Sequence, residues 1–296
     1  MTANATAGTI SVRKLFSGLA GQWPLLLGLA FMAIPTIASL ARQTWASDLG
    51  AHGPIVLATG LWLISRAWPK MQEGRTHPSG FLLVAGYGVA LAAYIFGRAY
   101  DFISIETFGL YLAGAMTVYS LVGWGGVRVA LFPLIYLAFI VPLPGWVLDQ
   151  ITSPLRMFVS YVATEGLRWL GYPIIREGVA IYIAQYQLLV EDACSGMNSI
   201  VGLTAIALFY VHVMGRERGR YVPFLLLMII PIAIVVNLLR VVILILLTYY
   251  AGDGVAQGFM HMTTGIVLFV VALFLMFALD MVLRFLFGGR GETDDG

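Results

Sequence analysis

The chain has 296 residues, 60% of them hydrophobic and only 11% charged, with a mean hydropathy of +0.89 and a net charge of +2. So large an apolar fraction exceeds that of a water-soluble domain and puts the chain among multispanning membrane proteins. It excludes a nucleic-acid binder, which would need clustered basic residues interleaved with aromatics, and no such patch is present.

Residues 1–22 are polar and carry Arg13 and Lys14 ahead of the apolar run Trp23 to Ala41. Ser39-Leu40-Ala41 loosely resembles a signal-peptidase site, but the run is longer than a cleavable leader's core and more runs follow, so it reads as a retained first helix. Further runs lie near Gly53 to Trp68, Gly80 to Gly97, Thr107 to Trp124 and Val127 to Val141, then at Met197 to Met214, Tyr221 to Tyr250 and Met262 to Phe285. Measured against about 30 Å of hydrocarbon, these predict about eight transmembrane helices, the second and fifth being the shortest. An even number puts both termini on one side. With cytoplasmic termini, the inner segments hold Arg13, Lys14, Arg66, Lys70, Arg75, Arg128, Arg216, Arg218, Arg220, Arg284 and Arg290, and the outer ones keep Arg42, Arg98, Arg156, Arg168 and Arg176. That bias in the short loops sets the orientation.

Residues 142–192 then form an extracytoplasmic loop. Ile151 to Leu170 places Arg156, Glu165 and Arg168 among apolar residues at helical spacing, which predicts an amphipathic helix in the interface. Val179 to Val190 is rich in β-branched and aromatic residues behind a turn-like Arg176-Glu177-Gly178, which predicts a short hairpin or extended segment. The expected fold is an all-α polytopic membrane protein: a cytoplasmic segment 1–22, a transmembrane domain 23–287 and a disordered cytoplasmic tail 288–296.

The one cysteine, Cys194, lies in Glu191-Asp192-Ala193-Cys194-Ser195-Gly196-Met197-Asn198-Ser199, where a polar loop enters an apolar run. A buried free cysteine is most often a small apolar residue. Here, however, the topology sets it facing an oxidising compartment, at the N-terminus of the sixth helix, where the dipole favours the thiolate. Ser195 and Gly196 supply an N-cap and backbone N–H groups able to hold an oxyanion, whereas Glu191 and Asp192 disfavour a second negative charge and are better suited to orienting a cation. Four histidines are available as bases. His77 and His212 fall on the cytoplasmic side, leaving His52 and His261 level with the thiol, and His261 opens the eighth helix, whose dipole keeps an imidazole neutral. Arg240 stands inside the seventh run with Asn237 one turn away on the same face. A guanidinium there costs about 2.5–3.5 kcal/mol on insertion scales. The plain alternatives are snorkelling or pairing with Asp253. Arginine stays protonated, so its chemical use would be to stabilise an oxyanion.

Ala193-Cys194-Ser195-Gly196, Asn237-Leu238-Leu239-Arg240, and His261 with Gly265 four residues on resemble the exosortase and archaeosortase family of membrane cysteine transpeptidases; Pro142-Leu143-Pro144 ahead of Ile151-Thr152-Ser153-Pro154-Leu155 does too. The resemblance implies a bacterial inner-membrane enzyme that cleaves a C-terminal sorting signal of exported proteins: a Pro-Glu-Pro-like motif, a helix and a basic cluster. Cys194 would attack and form a thioester, His261 would move the proton, Arg240 would hold the oxyanion, and an envelope or polysaccharide acceptor, or water, would resolve the intermediate. No metal or organic cofactor is implied. The sequence departs from the family in having Met197-Asn198 where Leu-Arg is common. The rival readings are a small-solute transporter, for which no inverted repeat is visible, and a non-catalytic component of polysaccharide export, which leaves the Cys, Arg and His unexplained.

Overall fold

The computed structural model describes residues 23–46, 50, 52–178, 180–189, 199–213 and 221–252, with 254–256, 258, 271, 274, 275, 277, 278 and 281 beyond them. Its helices are α1 (Trp23–Gln43), α2 (Gly53–Glu73), α3 (Gly80–Ala99), α4 (Ile103–Val129), α5 (Leu131–Leu137) continued by a 3-10 turn (Ala138–Ile140), α6 (Gly145–Trp169), α7 (Ser199–Val213) and α8 (Tyr221–Ala251). Between α6 and α7 run three short strands, β1 (Ile174–Glu177), β2 (Ala180–Ile183) and β3 (Tyr186–Leu189). Among the described residues, α1, α3, α4 and Ile230–Ala251 of α8 are long and apolar enough to cross a membrane. The chain divides into two compact units, Met1–Leu40 with Pro69–Val129, and Ala41–Trp68 with Ala130–Gly296.

The first unit is built on the α3–α4 hairpin. Its turn at Asp101 uses a positive φ of 58°, a conformation that aspartate tolerates better than most side chains. Small residues bring the two backbones together: a Cβ on Gly109 would stand 2.6 Å from the Tyr94 amide nitrogen and 2.8 Å from the Ala90 carbonyl oxygen. Such close approach replaces the hydrophobic drive that lipid does not supply between helices. Gly109→Val therefore pushes the hairpin apart, and we expect a loss of about 3 kcal/mol, read as a lowered thermal midpoint of the detergent-solubilised protein. Near the turn, the buried Glu106 carboxylate accepts hydrogen bonds from Thr36 Oγ1 (2.7 Å) and Arg98 Nη1 (3.2 Å), and Arg98 also donates to Ser39 Oγ (3.1 Å). This clasp ties α1 to the hairpin. At the other end of α4, Gly123 takes a φ of 65° and kinks the helix, letting the Thr76 N–H donate to the Val122 carbonyl (3.0 Å).

The second unit holds two cores. In one, Val56 and Leu63 of α2 meet Tyr136 of α5 and Ala205 of α7, with Phe132, Phe139 and Phe209 around them. In the other, Val159, Ala163 and Leu167 of α6 and the strand residues Ile174, Ile181 and Ile183 pack with Val241, Leu244 and Ile245 of α8. Leu155 of α6 and Ile234 and Leu238 of α8 extend that core, so α6 runs along α8 for roughly three turns. The strands form one antiparallel sheet in the order β1-β2-β3 with two-residue turns, Ile174 opposite Ile183 and Ile183 opposite Tyr186.

Three predicted elements come out differently. The run Val127 to Val141 is not a span of its own: Val127–Val129 belong to α4, and Leu131–Ile140 extends only about 15 Å before Pro142 and Pro144 stop it. The helix predicted from Ile151 starts at Gly145 behind Pro144, and its apolar stripe packs against α8 and the sheet, leaving Met157, Phe158 and Tyr161 on its exposed side. Arg176 and Glu177 lie in β1, so the turn begins only at Gly178, whose φ is 63°. The first and last segments, 1–22 and 288–296, lie outside the described residues.

Candidate active site

Helix α8 carries the one predicted catalytic side chain that the structure describes. Its buried residues are Ala233, Val236, Asn237, Arg240, Val241, Leu244, Ile245 and Thr248, a stripe at three- and four-residue spacing, while Val235, Leu239 and Ile243 are exposed on the opposite side. Arg240 and Asn237 are each 2% exposed. That rules out the snorkelling alternative: the guanidinium sits on the protein-facing side of a helix whose other side is suited to lipid. Asp253, the other alternative partner, lies outside the described residues.

Cys194 and its neighbours Glu191, Asp192, Ser195, Gly196 and Asn198 also lie outside the described residues, as does His261. The elements flanking the cysteine are described, and both pack against α8. On one side, the tip of the β2–β3 hairpin reaches the C-terminal end of α8. The helix stops there at Gly252 (φ 85°), and a Cβ on that glycine would stand 3.5 Å from the Tyr186 hydroxyl. From the tip, β3 runs back along α8, and Leu188 joins the core around Val241, Leu244 and Ile245. Gly252 and Arg240 are about 18 Å apart along a helix. Cys194 follows Tyr186 by eight residues, a length of chain that spans at most about 28 Å. On the other side, α7 begins five residues after Cys194 and packs on α8 as well. Phe277, within the predicted eighth helix, meets Tyr210 of α7 edge-on, with ring centroids 5.0 Å apart.

The histidines separate along α7. His212, at its C-terminal end, stacks on Phe132 with ring centroids 3.8 Å apart. His52, ahead of α2, lies against Gly202 near the N-terminal end, where a Cβ would meet its Cβ at 3.1 Å, its Cγ at 3.2 Å and its Nδ1 at 3.3 Å. Gly202 and His212 are about 15 Å apart along the helix, and the end that carries His212 is the one farther along the chain from Cys194. Burial pushes the His52 imidazole below its ordinary pKa, partly offset by a hydrogen bond to the Phe139 backbone, which leaves a neutral ring at physiological pH. His77 lies in the loop between α2 and α3 of the first unit. Two features of the fold were not anticipated: the buried Glu106, which reads in sequence as a charge flanking a span, and the contact of His52 with Gly202, which joins residues far apart in the chain. Among the described residues, no group of His, Cys, Asp and Glu is arranged to hold a metal ion.

No curated protein and no solved structure matches the chain. The model of one family, described as transmembrane exosortase (Exosortase_EpsH), matches residues 44–278. The match covers most of the sequence and takes in Cys194, Arg240 and His261, together with α7, which follows the cysteine in the chain, and α8. On that match, this helical, multi-pass membrane protein belongs to the transmembrane exosortase family.

Proposed function

We propose that the protein is a cysteine transpeptidase or peptidase of the bacterial inner membrane that cleaves a C-terminal sorting signal of exported proteins at the extracytoplasmic face. One observation carries this reading beyond the family assignment: Arg240 is buried in the protein-facing stripe of α8, the helix on which both elements flanking Cys194 pack. A fixed, always-protonated guanidinium in a low-dielectric site stabilises charge that develops on a carbonyl oxygen. His261 takes the proton of the Cys194 thiol, the thiolate adds to the peptide carbonyl ahead of the signal's membrane helix, and Arg240 holds the resulting oxyanion. The C–N bond breaks as His261 delivers a proton to the leaving amine, producing a thioester on Cys194. Water or an acceptor nucleophile then gives its proton to His261, attacks the thioester and regenerates the thiol. Asn237, Ser195 and Gly196 lend hydrogen bonds to this constellation, Glu191 and Asp192 orient cationic groups nearby, and Asn198 distinguishes this chain's site from relatives with arginine there.

Co-expression with an exported protein that ends in a Pro-Glu-Pro-like motif, a membrane helix and a basic cluster tests the reading. A shortened product should appear, with its new C-terminus at or near the motif by mass spectrometry, and hydroxylamine should divert it to the hydroxamate. Persistence of the full-length substrate beside a wild-type enzyme of demonstrated membrane insertion would overturn the proposal. His261→Ala should slow processing by about 10²–10⁴-fold, as expected for loss of a general acid and base; an unchanged rate constant in a quantitative pulse-chase would remove His261 from that role.

A further inference from the structure

His52 and His261 are the two histidines expected level with the thiol, and the geometry gives His52 a different task from proton transfer. Its ring lies on the bare backbone of Gly202, close enough that an added methyl group would be tighter than ordinary contact. Its hydrogen bond to the Phe139 backbone anchors it to the middle of the 3-10 turn behind α5. Phe139 in turn packs on the core formed by Val56, Leu63, Tyr136 and Ala205. Gly202 is the first of these seats along α7, with Ala205 and Phe209 following it at roughly one-turn intervals. A flat, neutral ring with one donor suits both contacts, and a glycine is the residue that lets the ring reach the helix backbone. The helix it braces is the one that Cys194 leads into.

We propose that His52 is a positioning residue for the nucleophile: by bridging the Phe139 backbone and the Gly202 face of α7, it fixes the entry of that helix and so the direction of the Cys194 thiol. The inference rests on the proposed role of Cys194. A nucleophile displaced by about an ångström loses rate without losing affinity, since substrate contacts elsewhere are retained.

The test uses the full-length enzyme in native membranes, with two readouts. One is processing of the co-expressed or added substrate, resolved into kcat and KM. The other is the rate of alkylation by iodoacetamide, which reports on Cys194 alone because the chain has one cysteine. His52→Phe keeps a flat ring and removes the donor; we expect kcat to fall about 10²-fold with KM within about 2-fold, and the alkylation rate to change about 5-fold or more. Of the donor-keeping variants His52→Asn and His52→Gln, at least one should recover kcat to within about 3-fold of wild type. Gly202→Ala shifts the same seat by a few tenths of an ångström and should lower kcat about 10-fold at an unchanged thermal midpoint, which keeps the proposal testable if His52→Phe does not accumulate. Wild-type kcat and alkylation in His52→Phe and Gly202→Ala, or losses that follow only the amount or thermal midpoint of the protein, would overturn it. Processing that persists in Cys194→Ala would end the proposed activity instead, whereas the alkylation readout needs no substrate and judges the His52 seat by itself.

Discussion

Cys194→Ala should abolish processing of the sorting signal, by at least about 10⁴-fold, while the protein stays in the membrane at its normal level. The size follows from covalent catalysis. Without the thiol no thioester forms, and a preorganised oxyanion site retains only a small residue of the rate. The spared fold follows from the packing around the loop. The sheet before it is held by Ile174, Ile181 and Ile183 against Val241, Leu244 and Ile245, and α7 after it is held by Ala205 and Phe209, so each flank has core contacts of its own. Cys194→Ser should be far slower than wild type without being completely dead, because a hydroxyl is a much weaker nucleophile than a thiolate at neutral pH. Pulse-chase of a tagged substrate gives the rates, and an immunoblot of the membrane fraction gives the enzyme level. Wild-type processing in Cys194→Ala would remove the thiol from the mechanism and favour a non-catalytic role in export.

What could be read from the sequence follows from which signals are local. The sequence marks helices α1, α3, α4 and α8 to within a few residues because an apolar run of spanning length is a one-dimensional signal. The run Val127 to Val141 misled for the same reason: hydropathy does not register that Val127–Val129 complete α4 or that Pro142 and Pro144 end the turn after α5. The start of α6 is not marked in the sequence because its first turn, behind Pro144, precedes the apolar stripe that packs on α8 and the sheet. Arg240 and Cys194 stood out because each is chemically anomalous where it occurs. Glu106 did not, since at the edge of a run it looks like a solvated flank until Thr36 and Arg98 are seen on its carboxylate. Nor did the His52 seat, which needs Gly202 and Phe139 brought together by the fold.

Arg240→Met should lower processing by about 10²–10³-fold, the loss typical of removing one oxyanion-stabilising group, and should leave the fold intact. Alanine alone cannot make the point, because it empties a large volume in a stripe packed between Val236, Val241 and Leu244, and any lost activity could then be blamed on collapse. Methionine fills much of the space of the arginine stem and carries no charge. Replacing buried ionic groups with apolar residues of similar volume is often neutral or stabilising, so the thermal midpoint of Arg240→Met should equal or exceed that of wild type. The two readouts then move in opposite directions if Arg240 serves the chemistry and together if it only ties helices to one another. Arg240→Lys refines the result. Lysine keeps the charge but loses the planar fork and delocalisation, so it should recover part of the rate and not all of it. Full activity in a stable Arg240→Met protein would remove the buried guanidinium from the chemistry and leave the oxyanion to the backbone N–H groups beside Cys194. A stable protein with normal substrate affinity and a collapsed kcat would place the effect in the transition state, where a charge held on the protein-facing side of α8 acts most strongly.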